Sequence, residues 1–93
     1  MTTSVTVLSS IPGAAAGEIV QVLFESSISG PTAISVPGVE AGDIMLTLVD
    51  TASNVSALSQ NHFEAVISNN DQIAQLSTYV VAYQFSALFY RAL

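Results

Sequence analysis

The stretch Ile34-Ser35-Val36-Pro37-Gly38-Val39-Glu40-Ala41-Gly42-Asp43-Ile44-Met45-Leu46-Thr47-Leu48-Val49-Asp50 decides how this chain folds. An apolar run stops, turns and starts again within it. Pro37 presets φ for the first corner of a turn and Gly38 accepts the positive φ of the second, so the chain reverses at Val36-Pro37-Gly38. Gly42-Asp43 then opens Ile44, Met45, Leu46, Leu48 and Val49. That run is too apolar for a loop and too short for a membrane helix, and it reads as a central, well-buried strand.

Upstream, Val5, Val7 and Ile11 lie in a Ser- and Thr-rich arm that alternates apolar with polar as far as Val7, the pattern of a half-buried edge strand. Ala14 to Ala16 imitates a signal-peptide cleavage site, but neither a basic n-region nor a continuous apolar h-region precedes it. Residues 1–17 are therefore read as an extended arm and connector, and residues 18–93 as a single domain. Glu18 to Ser27 sets Val20, Val22 and Phe24 on one face and Ile19, Gln21, Leu23 and Glu25 on the other, a second strand. Thr32 to Val36 is a short third strand after the break at Ser29-Gly30-Pro31.

Downstream, Thr51 to Gln60 is small and polar and reads as a loop, because its Ser and Asn side chains compete for backbone hydrogen bonds. Phe63 to Ser68 and Gln72 to Leu76 alternate about Asn69-Asn70-Asp71, residues that tolerate left-handed backbone, so they predict a hairpin. Tyr79 to Leu93 fits both a helical and a strand period. Its aromatic and β-branched content favours the strand, with a break near Ser86 because of its length. The sum is an all-β chain of about seven strands, an antiparallel β-sandwich for which a jelly roll is one candidate topology. Its core is expected to hold Ile44, Leu46, Leu48, Phe63, Ile67, Ile73, Val81, Phe85 and Phe89.

The balance of charge narrows the function. The chain carries one basic side chain, Arg91, and seven carboxylates, a formal net charge of -6. One arginine cannot displace the counterions of a phosphate backbone, so nucleic-acid binding is not expected, nor is attachment to an anionic membrane. The apolar run at the C-terminal end is shorter than the roughly 20 residues of a spanning helix and includes Gln84 and Arg91. Only 9% of the residues are charged and 51% are hydrophobic, against about 25% charged in ordinary soluble domains. So apolar a chain of 93 residues calls for other subunits to cover part of its surface, and a homo-oligomer is expected.

No pattern in the chain points to chemistry. Cysteine is absent, and the single histidine, His62, has no second ligand to complete a zinc site, so it reads as a surface or packing residue. Glu40, Asp43, Asp50 and Asp71 lack the spacing of a calcium loop and read as solvated turn and strand-end carboxylates. No serine stands in a Gly-x-Ser-x-Gly elbow. The chain is thus not read as an enzyme, and no catalytic residue, cofactor or metal is assigned. Asn54-Val55-Ser56 matches a glycosylation triplet of the kind that chance supplies. Arg91 stands apart: it is unique, it shares a face with the aromatics of the last strand, and it needs a partner wherever it is buried. An ion pair that closes the fold and a subunit contact are the two readings, and Val5, Val7, Ile11 and Arg91 are the candidate partner contacts.

The pattern of Val36-Pro37-Gly38, Gly42-Asp43 opening an apolar strand, Phe63, Ile67-Ser68, Gln72-Ile73, Gln75 and a final aromatic strand closing with Arg91 resembles small virion proteins of tailed bacteriophages. The resemblance runs over the last two-thirds of the chain. It implies a β-sandwich placed on a capsid as a decoration or cement protein, in contact with the major capsid protein or other virion subunits, or placed in a tail or fibre. The alternative from another class is a carbohydrate- or receptor-binding module. Aromatic side chains clustered on an exposed face would mark the module, and aliphatic surface spread over several faces would mark assembly.

Overall fold

A computed structural model describes residues 3–13, 16–51, 55–56, 63–77 and 83–92. These residues are all-β and antiparallel, with no helix among them. The strands are β1 (Ser4–Ile11), β2 (Gly17–Glu25), β3 (Thr32–Ser35), β4 (Ile44–Asp50), the two-residue β5 (Val55–Ser56), β6 (Gln72–Gln75) and β7 (Gln84–Ala92). The larger sheet runs β1-β2-β7-β4, extended beyond β4 by β5, and β3 pairs with β6 in a second sheet. The pairing is nested along the chain: β2 with β7, β3 with β6, β4 with β5.

The two faces of β2 separate as its alternation requires. Val20, Val22 and Phe24 are fully buried, while Ile19, Gln21, Leu23 and Glu25 are half-buried. Phe85, Ala87 and Phe89 of β7 and Leu48 of β4 join them from the same sheet. Ile73 of β6 and Val36, Val39, Phe63 and Ile67 from the connections complete one continuous hydrophobic cluster. At its centre the Phe63 ring stands edge-on to Phe24 and to Phe85, each with centroids 5.3 Å apart, the arrangement favoured by the ring quadrupoles.

The strand expected to be central and well buried is neither. β7 lies between β2 and β4, and of the residues in β4 only Leu48 is buried. Ile44 and Leu46, both expected in the core, are 42% and 47% exposed. The cause is a register shift between Met45 and Thr47 against β7. A bulge inserts one extra residue and reverses the alternation beyond it, so Met45 and Leu48, instead of Ile44, Leu46 and Leu48, share the inner face. Met45 opposes Phe89 and Leu48 opposes Ala87.

Two further expectations change. β7 keeps an unbroken register with β2 from Gln84 opposite Glu25 to Ala92 opposite Gly17, with no irregularity at Ser86. The hairpin expected at 63–76 reduces to one bridge, Phe63 to Gln75, and one backbone bond, Glu64 N–H to the Ala74 carbonyl at 3.0 Å. Strand β6 takes β3 as its partner instead, while Ile67 and Ala65 bond to the backbone of Gly42, Asp43 and Met45. Within the region read as a loop, Val55–Ser56 pairs with β4. Tyr79, Val81, His62 and Asn54 of the glycosylation triplet lie outside the described residues.

Gln75 is buried and its amide is satisfied. Its Oε1 accepts from the Ser27 N–H at 2.9 Å, and its Nε2 donates to the carbonyls of Ser27 and Ser77 at 2.7 and 2.8 Å. The β2–β3 connection is thereby tied to β6, which is how a buried polar group is retained without penalty.

Candidate interaction surface

Two consecutive turns cap one end of the core. Val39 N–H donates to the Val36 carbonyl at 3.3 Å and Asp43 N–H to the Glu40 carbonyl at 3.1 Å. Gly38 and Gly42 take φ of 103° and 95° at the third position of each turn, a conformation that L side chains disfavour. Opposite them, Asp71 adopts φ 64°, in keeping with the left-handed tolerance expected of that loop. Asp71 Oδ1 accepts from Gly38 N–H at 2.9 Å and Asn70 Oδ1 accepts from Ala41 N–H at 2.8 Å.

Arg91 closes the other side. Its Nε donates to Asp43 Oδ1 at 2.9 Å and its Nη2 to Asp43 Oδ2 at 2.8 Å, a two-pronged pair of the strong, charge-assisted kind. Nη2 also donates to the Gly38 carbonyl at 3.0 Å, and Nη1 stands 3.2 Å from Glu40 Oε2. Asp43 Oδ2 further accepts from the Glu40 N–H at 3.0 Å. The hydrogen bond to Asp43 first, and then the charges of Asp43, Glu40 and Glu18, raise the guanidinium above its ordinary range against an opposing cost of burial. Asp43, read from sequence as a solvated carboxylate, is buried, with a side chain only 1% exposed. Arg91 is therefore placed as the ion pair that closes the fold.

The other candidate contacts do not converge on Arg91 as a set. Val5 is half-buried, packs against the core and touches the Gly38 turn, Val7 is 48% exposed, and Ile11 is half-buried at the far end of β1. The arm itself is an edge strand of the chain's own sheet, with Ser4 opposite Leu23 and Ile11 opposite Gly17.

The residues that the sequence reading passed over are those on the outer face of the larger sheet. Strand registry sets Ser9, Ile19, Tyr90 and Ile44 in one row, Thr6, Gln21, Leu88 and Thr47 in the next, and Ser4, Leu23, Ser86 and Val49 in a third. None of these twelve side chains is charged, although the chain carries a net charge of -6. Tyr90 leans over Gly17, where an added Cβ would fall 2.7 Å from the ring, and its hydroxyl donates to the Ala16 carbonyl at 3.3 Å. Gln21 Nε2 donates to Ser86 Oγ at 3.4 Å. Ile19, Leu23, Leu88 and Val49 are half-buried. The clue was present in Ile19, Gln21 and Leu23 on the outer side of β2, where Glu25 at the end of the strand is the one charge, but only the register joins them to β7 and β4.

The exposed large apolar side chains among the described residues are aliphatic: Val7, Leu8, Ile28, Ile44, Leu46, Val66 and Leu76. All four phenylalanines are buried. No group of three or more His, Cys, Asp or Glu side chains among the described residues could hold a metal ion. No family model, curated protein or solved structure matches the chain.

Proposed function

We propose that this chain is a structural subunit of a virion, a capsid decoration or cement protein of a tailed bacteriophage that binds neighbouring shell subunits through uncharged surface. The reading joins the resemblance of residues 34–91 to the character of the surface. The observation that carries it is uncharged surface: three rows of aliphatic, hydroxyl and amide side chains across the larger sheet, with Ile44 42% exposed at their end, and further exposed aliphatic side chains at Val7, Leu8, Ile28, Leu46, Val66 and Leu76. Aliphatic side chains left exposed on a small domain with few surface charges favour contact with other proteins. A sugar-binding module would instead cluster aromatic rings on an exposed face, whereas the phenylalanines here are spent on the core and Tyr90, the one aromatic residue in the three rows, lies half-buried over Gly17.

The architecture we infer is a β-sandwich of jelly-roll type, with the two sheets closing on one core. The nested pairing of β2 with β7, β3 with β6 and β4 with β5 supports it, because a jelly roll is a long hairpin rolled so that successive pairs enclose one another. Such a fold serves capsids and lectins alike, so it leaves the choice of function to the surface.

Co-sedimentation of the purified chain with empty heads of a tailed phage tests the reading. Saturable binding to the shell, lost on Ile44→Lys while the fold is retained, is the expected result. Binding to a glycan array with none to any shell or tail component would replace it with the receptor-binding alternative.

A further inference from the structure

We propose that β1 is a homotypic interface: its outer edge pairs, antiparallel and about a two-fold axis at Thr6, with β1 of a second copy of this chain. This rests on the reading of the chain as an assembly subunit and names one partner and one contact for it. Strand β1 ends the larger sheet, so among the described residues every second backbone N–H and C=O along it has no strand to bond. The other free edges are short. Strand β3 has four residues and β5 two, against eight in β1.

Edge strands of soluble proteins are guarded by Lys, Pro, inward charges or bulges. Ser4–Ile11 contains no charged residue and no proline. Its one guard is the bulge between Val7 and Ser9, which leaves Ser4–Val7 in regular register with β2 and available along the outer side.

Charge selects a second copy as the occupant. On a chain of net charge -6, most self-contacts would bring carboxylates face to face, a cost that β1 against β1 avoids because neither strand carries a charge. The pairing also continues the larger sheet across the axis. Ser4 and Thr6 each end one of the uncharged rows on its outer face, so these rows of the two copies merge into one surface.

The test is the concentration dependence of mass for the full chain, by light scattering and sedimentation, together with amide exchange along β1. The wild-type chain should form a dimer, and β1 amides should gain protection as it forms. Thr6 is exposed on the outer face, away from the core. Thr6→Lys should keep the fold and weaken the dimer at least about tenfold by setting two like charges beside the axis, even though it lowers the net negative charge. Thr6→Glu should also be monomeric, and an equimolar mixture of the two variants should restore a dimer. A wild-type monomer at high concentration overturns the proposal, while shell binding by that monomer would leave the assembly reading standing. A dimer that Thr6→Lys leaves intact, or one that forms without protecting β1, overturns it too and places self-association elsewhere. If neither a dimer nor shell binding is found, the assembly reading falls with it.

Discussion

Arg91, next to last of the residues in β7, grips the buried carboxylate of Asp43 through two parallel hydrogen bonds of 2.9 and 2.8 Å. The pair joins the end of the strand between β2 and β4 to the second of two turns that cap the core. It makes the only basic side chain of the protein a structural residue.

Breaking the pair from either side should therefore be costly. Arg91→Met leaves the buried Asp43 carboxylate without its charge partner and should destabilise the fold by roughly 3 to 5 kcal/mol; Asp43→Asn leaves Arg91 its exposed pair with Glu40 and should cost less. Arg91→Lys should not rescue, because a point charge cannot reproduce the planar fork. The double variant Asp43→Asn, Arg91→Met should lose less than the sum of the two, since the partners share one interaction. Urea denaturation of the four proteins measures this, and strict additivity would contradict it.

The bulge in β4 makes a second, opposed pair of expectations. Phe85→Ala removes a ring that meets Phe24 and Phe63 in the centre of the core and should cost about 3 to 5 kcal/mol. Leu46→Ala, at a position 47% exposed, should change stability by less than about 1 kcal/mol. Thermal melts of the two variants separate this register from an unbulged one, in which Leu46 would be as costly as its neighbour Leu48.

Gly38 couples the turn to β1. An added Cβ would fall 3.1 Å from Val5 Cβ and Cγ2, at φ 103°, so Gly38→Ala should cost at least about 1 kcal/mol for the backbone alone, with the crowding added. Gly42→Ala, at φ 95° but with open space around the added carbon, should cost only the backbone part. Combining Gly38→Ala with Val5→Ala removes the contact with Cγ2 and keeps the one with Cβ, so it should recover part of the crowding and none of the backbone strain. Equal losses at the two glycines, with no coupling to Val5, would show that β1 does not pack on the turn.

What the sequence determined by itself is local. Pro37-Gly38 and Gly42 require turns because of their allowed backbone angles, Asp71 tolerates the left-handed conformation, and the alternation of Val20, Val22 and Phe24 sets one face of β2 against the core. Composition likewise required that apolar side chains be left at the surface, because so small a domain cannot bury them all.

Tertiary structure alone decided what depends on pairing between distant strands. A bulge adds one residue and leaves no mark in an apolar run, so whether Ile44 and Leu46 or Met45 and Leu48 face inward was settled by the register against β7. Burial of Asp43 depends on Arg91, 48 residues away, which no spacing rule connects to it. The three uncharged rows of the outer surface likewise exist only because β1, β2, β7 and β4 lie side by side. Each strand contributes three neutral residues that mean little alone, and hydrogen-bonded registry sets them side by side.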